Sequence, residues 1–352
     1  MIINNKTKNT HFLWVDIIRI IAIVAVLINH TVAQFLVDWN KISLINWLIA
    51  DVYGAVIRFA VPVFIILSGY LLLDKQEDDL VFFSKRFSKV VIPLFAWSIL
   101  YMIFKTNYDI SSIFSKVFIK EFLTESIYYH LYFLYIIIGL YIITPLLRRI
   151  LACANLRDVY YYLIIWFFFN PVVQLFATFG YNFTLPVEAA TGYLGYYIMG
   201  YAIRKTKITS NIVNLSGVLV FISLIATIVG TYVMTSNAGQ MNNSFTHGLT
   251  ITIVIYSTCL FILLRENLSR LTITDRWQKI IIKIGGATMG IYLIHPIFLT
   301  LILNGYFGIY PLSEKVLSPL ISVPLVASLL FVVSLITVLI LQKIPFVKLT
   351  VH

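Results

Sequence analysis

The chain reads as long apolar runs separated by short polar connections. A helix that crosses the hydrocarbon core of a bilayer needs about 20 apolar residues. Ten stretches approach that length: 13–36, 50–73, 85–105, 128–151, 159–178, 189–204, 211–234, 247–265, 280–304 and 318–342. This pattern predicts an all-α, polytopic transmembrane helix bundle of about ten helices. It forms a single membrane-embedded domain over 1–352, with no separate soluble domain. One connection is patterned differently. Between 106 and 127, Ile110, Ile113, Phe114, Val117, Phe118 and Phe122 recur at helical spacing, while Lys116, Lys120 and Glu121 fall elsewhere on the wheel. That spacing predicts a short amphipathic helix on the membrane surface, the alternative being a loop packed on the bundle.

Composition agrees with the pattern. The chain is 60% hydrophobic and 12% charged, whereas a soluble domain is about 45–50% apolar and about 25% charged. The surplus apolar surface requires lipid as its solvent. The net charge of +11 would suggest nucleic acid in a soluble protein, but here its placement explains it. With the N-terminus in the cytoplasm, only Lys41, Lys105, Lys116, Lys120 and Lys315 fall in outside connections, and Arg19 and Arg58 lie within helices. All the other lysines and arginines fall in cytoplasmic segments, which predicts an even number of crossings and both termini in the cytoplasm. No nucleic-acid partner is expected. The apolar run Phe12–Val37 is too long for a signal-peptide core and lacks a small-residue cleavage site, so it reads as a retained first helix. Cys153 and Cys259 show no metal-ligand spacing, and neither a disulfide nor a metal site is expected.

Ionisable groups inside a membrane are costly and mark function by default. The first helix holds Asp16, Arg19 and His30. Eleven residues separate Arg19 from His30, about 20° beyond three full turns, so both point to one face at depths about 16 Å apart. Asp16, three residues before Arg19, is placed to pair with it. A fixed cation near the cytoplasm and an imidazole well above it suit a reaction between a charged cytoplasmic donor and an outer acceptor. Lys85, Arg86 and Lys89 open the third helix on the cytoplasmic side, either as ordinary inside cations or as a phosphate site for a donor such as coenzyme A. Arg58, Glu125, His130 and His295 lie toward the outer side and are candidates for the acceptor side, against simpler readings as snorkelling, interfacial or packing polar groups. Pro62 loosens the second helix, and Pro296 frees a backbone carbonyl beside His295. Ser68-Gly69 reads as a close helix-packing pair in preference to a nucleophile turn. His11, His247 and His352 read as surface residues.

Four stretches, in order along the chain, resemble the acyltransferase type 3 family of integral membrane acyltransferases. They are Asp16-x-x-Arg19 with His30 eleven residues after the arginine; Arg58-x-x-x-Pro62-x-Phe64-x-x-x-Ser68-Gly69-Tyr70; Tyr129-His130-Leu131-Tyr132-Phe133-Leu134 running on to Thr144-Pro145; and Gly290-Ile291-Tyr292-Leu293-Ile294-His295-Pro296. The resemblance implies an O-acyltransferase of the bacterial cytoplasmic membrane. It would move an acyl group, commonly acetyl from acetyl-CoA with succinyl-CoA as the alternative donor, to a hydroxyl of a cell-envelope glycan. It implies His30 as catalytic base or acyl relay, Arg19 as its partner, and Arg86 and Lys89 as the paired cations of the third helix. The sequence departs from the family where Lys89 replaces an arginine, losing the bidentate fork, and where Tyr132 stands for the usual tryptophan. Some relatives carry an extracytoplasmic esterase-like domain, which is not expected here. The competing readings are a transporter or flippase of a lipid-linked glycan, whose path the same buried charges would line, and a non-catalytic partner in an envelope assembly.

Overall fold

The computed structural model describes residues 12–180, 192–305 and 317–351. Lys6, Lys8, His11, residues 189–191 of the predicted sixth stretch, Lys315 and His352 lie outside the described residues. Among the described residues every regular element is helical: α1 (Leu13–Leu36), α2 (Leu44–Ile57), α3 (Ala60–Leu72), α4 (Asp79–Arg86), α5 (Ile92–Lys105), α6 (Lys116–Thr124), α7 (Tyr132–Cys153), α8 (Leu156–Phe167), α9 (Val173–Thr178), α10 (Leu194–Lys205), α11 (Ser210–Ala238), α12 (Ile251–Leu268), α13 (Asp275–Gly285), α14 (Thr288–Leu303) and α15 (Pro319–Leu341). Eight continuous helical segments are long and apolar enough to cross a membrane, and α13 with α14 makes a ninth if their 58° bend is one broken span. The protein is a multi-pass membrane helix bundle. Of the ten predicted stretches, the sixth is represented by α10, whose 12 described residues are too short to cross alone.

Prolines account for the breaks that matter. Pro62 has no N–H to offer the Arg58 carbonyl, and the second span is interrupted at Arg58–Phe59 between α2 and α3. That span also begins at Leu44, earlier than its apolar run suggests. Pro93 deprives the Lys89 carbonyl in the same way, and the third span relaxes into a π-turn over Phe87–Val91. Pro171 sits within a second π-turn, Phe168–Val172, between α8 and α9.

The first helix is the hub, packing against α2, α3, α12, α13, α14 and α15. Two of its neighbours set the site. A side chain at Gly285 of α13 would overlap Asp16, so the glycine lets α13 lie directly on α1. In the same way α3 and α10 meet backbone to backbone: a Cβ on Gly69 would overlap the Tyr197 carbonyl, and one on Gly200 the Ile66 carbonyl. Gly69 thus makes the close packing expected of the Ser68-Gly69 pair. On the rim, α11 is turned inside out, with Ser216, Ser223, Thr227, Thr231 and Thr235 buried and Leu215, Phe221, Ile222 and Val229 exposed. That is the arrangement lipid favours. The amphipathic helix predicted in 106–127 is present as α6. Phe118 is buried and Phe122 rests against Phe95, while Phe114, Val117 and Leu123 stay exposed.

The start of α1 and the end of α15 share one end of the bundle. Asp16 touches Gly285, the Gln342 Nε2 lies 3.5 Å from the Gly286 carbonyl, and Trp97 donates to the Thr350 carbonyl at 2.8 Å.

Candidate active site

At that same end a cavity of about 350 Å³ opens between α1, α3, the end of α4 with the π-turn after it, α7, and the α13–α14 bend. Arg19, Arg86 and Lys89 line it together with Ser68, Tyr141, Gly285 and Thr288, and its far half is lined by Val26, Val61, Phe64, Phe133, Ile137 and Tyr292. Its polarity is therefore graded: cations at one end, an apolar throat, and a phenol at the other. The sequence builds each part locally. Arg19 is steadied by Asp16, with Nη1 to Oδ1 at 3.3 Å, and Asp16 is itself buried against Gly285. Arg86 ends α4, and Lys89 is carried on the π-turn that follows, where Pro93 leaves the Lys89 carbonyl without its helical donor. The Arg86 guanidinium lies over the rings of Phe82 and Tyr141, 5.4 and 5.7 Å from their centres, and its Nε has no hydrogen-bond partner.

The neighbouring cations have a different occupation. Lys85 bonds Glu77 at 2.6 Å and Lys75 bonds the same carboxylate at 3.2 Å. Arg148 packs on Phe82 at 4.6 Å, approaches Glu77 at 3.8 Å and donates to the Leu72 carbonyl at 2.9 Å. Arg204 and Lys205 hold Asp74 at 3.1 and 2.5 Å. These groups tie the α3–α4 connection to α7 and α10. Lys85 is thus placed on Glu77, apart from the cavity lined by Arg86 and Lys89.

At the other end of the cavity lies a cluster of rings. His30 stacks on His295 with centroids 5.1 Å apart and faces Tyr129 at 5.0 Å. His130 meets His295 edge-on at 5.6 Å, Tyr101 at 4.9 Å and Tyr292 at 5.3 Å. Tyr292 joins the two regions, since it lines the cavity and its hydroxyl donates to the His130 carbonyl. The His295 tautomer follows from the sequence. Pro296 leaves the Tyr292 carbonyl without its helical donor, and His295 Nδ1 reaches that carbonyl at 2.7 Å. A carbonyl only accepts, so Nδ1 carries the proton and Nε2 presents a lone pair. His295 is fully buried, and Nε2 has no hydrogen-bond partner.

His30, His130 and His295, which lie on α1, just before α7 and on α14, are therefore brought together. Arg58 sits at the α2–α3 break, close enough for its charge to act on His30. Glu125 is exposed at the end of α6 and is not drawn into the cluster. Sequence reasoning passed over Asp51, which is buried with an unpartnered Oδ2 and lies within the electrostatic reach of Arg58. The seven-residue spacing to Arg58 places both on one face of α2 and was the available signal. It also passed over any role for Tyr292 and Tyr101, whose type is too common in this chain to single out. Among the described residues no group of three metal-ligating side chains has the arrangement to hold a metal ion.

Chemically, the site offers anion-binding groups, a narrow apolar passage and imidazoles with a free lone pair. The acyltransferase type 3 family model, an acyltransferase domain, matches residues 12–342. No curated protein and no solved structure matches the chain.

Proposed function

The chain belongs to the acyltransferase type 3 family, and on that premise we propose that it is an O-acyltransferase of the bacterial cytoplasmic membrane. It takes an acyl group, acetyl in the first instance, from cytoplasmic acyl-CoA and moves it to a hydroxyl of a cell-envelope glycan or its lipid-linked precursor. The observation that carries this reading is the graded cavity, cationic at Arg19, Arg86 and Lys89 and ending at Tyr292 beside the histidine cluster. Acyl-CoA has the same grading: a phosphorylated head, a long thin pantetheine arm and a reactive thioester at its tip. The basic end is read as cytoplasmic from the distribution of Lys and Arg.

In this reading Arg86, Lys89 and Arg19 neutralise the phosphates, and Asp16 positions Arg19. The arm runs through the Val26–Phe133 throat and presents the thioester carbonyl below His30. The acceptor hydroxyl gives its proton to a ring nitrogen of His30 while its oxygen attacks the carbonyl carbon. Collapse of the tetrahedral intermediate breaks the C–S bond, and the imidazolium returns the proton to the departing thiolate. In the relay variant a ring nitrogen of His30 itself attacks the thioester carbonyl and expels the CoA thiolate, which takes up the imidazole proton; the acceptor oxygen then attacks the acyl-imidazole, the N–C bond breaks, and the freed nitrogen takes the acceptor's proton. Tyr129 and His295 hold the His30 ring, and His130 backs His295.

The test uses membranes containing the protein and radiolabelled acetyl-CoA. His30→Ala is expected to lower transfer to glycan by about 10²–10⁴-fold while acetyl-CoA still binds. Undiminished transfer by His30→Ala, or none by the wild type, would overturn the reading.

A further inference from the structure

Among the described residues Arg58, like Arg86, lacks the carboxylate that the other part-buried arginines have, and it makes no ring contact such as Arg86 makes with Phe82 and Tyr141. Arg19 has Asp16, Arg148 has Glu77 and Arg204 has Asp74. The Arg58 side chain makes no ion pair or hydrogen bond among the described residues, and its Nε is buried without a partner. A half-buried guanidinium whose Nε is sealed from solvent without a partner is costly in a membrane protein and is retained where an anion completes it. The acid on its own face, Asp51, lies two turns back with Oδ2 unpartnered and makes no ion pair with it among the described residues. The Arg58 charge also acts on His30 and on exposed His247, which places it on the histidine-cluster side of the bundle. Tyr129 and Tyr132 are both substantially exposed there. Tyr129 faces the His30 ring and Tyr132 lies within electrostatic reach of Arg58.

We propose that Arg58 is the subsite for an anionic group on the acceptor, so that this enzyme acylates an acidic glycan. The inference rests on the acyltransferase reading and names its acceptor class. The guanidinium fork matches a carboxylate or a phosphate. Asp51 accepts a hydrogen bond from a neighbouring hydroxyl, and the exposed tyrosine rings give sugar faces a surface to pack on. A carboxylate of an acidic sugar and a phosphate of a polyol chain or lipid carrier present the same chemistry to Arg58. A neutral sugar would leave the cation uncompensated.

The experiment labels host membranes with radioactive acetyl-CoA, releases the acylated glycan and runs it on an anion exchanger. The label is expected to be retained. Cold aqueous hydrofluoric acid, which cleaves phosphate esters and leaves carboxylates intact, separates the two sources: label that stays retained reports a carboxylate, and label that becomes neutral reports a phosphate. Arg58→Gln is expected to lower transfer by roughly tenfold to a hundredfold, the scale of one lost charged hydrogen bond, with acetyl-CoA affinity unchanged. Arg58→Lys restores part of the loss, which separates lost charge from misfolding. Label wholly in the neutral fraction before acid, or wild-type transfer by Arg58→Gln, would overturn the assignment. Absence of label with the wild type would instead sink the acyltransferase reading, and this inference with it.

Discussion

His295 owes its free Nε2 to the residue that follows it, because Pro296 leaves the Tyr292 carbonyl for Nδ1 to satisfy. Replacing Pro296 with alanine returns an N–H to that carbonyl and unlocks the tautomer. The expected result is a fall in kcat of roughly tenfold or more with acetyl-CoA affinity unchanged; a wild-type kcat would argue against the lock. Gly285 makes the opposite kind of demand. A methyl group there would sit 2.6–2.8 Å from the Asp16 side chain. Gly285→Ala should therefore shift Asp16 and its partner Arg19, at a cost of about 1–3 kcal/mol in stability, and weaken acetyl-CoA binding. Gly139→Ala, with nothing near its Cβ, should do neither. Melting temperatures and donor titrations of the two variants check this. At this scale the Asp16–Arg19–His30 face was legible because helical periodicity fixes which residues share a side. The separation of Lys85 from Arg86 and Lys89 was not, because it depends on Glu77, eight residues before Lys85 and outside any helix.

The α3–α4 connection shows how elements position the cationic end. Partial burial works to raise the Glu77 carboxyl, but hydrogen bonds and charge from Lys85 and Lys75 outweigh it and hold the carboxyl below its ordinary value. A depressed folded-state value contributes stability that is full above the ordinary glutamate range, about 4.3, and is lost as pH falls through the folded value. Acid should therefore loosen α4, and the melting temperature should drop as pH is lowered below about 4. Glu77→Gln should remove that component and cost about 1–3 kcal/mol near neutral pH; a variant with the same acid profile as wild type would show that Glu77 does not hold the connection. Helix existence was legible from the apolar runs alone, as was the surface helix α6. Helix breaks were only half legible. Pro62 announced the break between α2 and α3, whereas the bend between α13 and α14 carries no proline, and the π-turn bearing Lys89 was not foreseen, since Pro93 two residues into α5 is also compatible with an ordinary helix start.

Across the whole molecule the proposed reaction has a polarity: donor at the basic end, acceptor at the histidine end. Cys153 is exposed at the basic end of α7, and Cys259 is buried in α12. A membrane-impermeant maleimide should therefore label Cys153 in inverted vesicles and not in intact cells, with Cys259 silent in both; labelling of intact cells would reverse the sidedness. Bundle architecture and sidedness could be argued from sequence because both follow from composition along the chain. The graded cavity could not, because its lining comes from six helices spread along the chain. The most direct measurement is calorimetric acetyl-CoA binding to the purified protein, comparing wild type with Arg86→Gln and Lys85→Gln. If the cavity is the donor site, Arg86→Gln should weaken binding by roughly tenfold or more and Lys85→Gln should stay close to wild type. Equal losses in both variants, or no binding by folded wild-type protein, would contradict it.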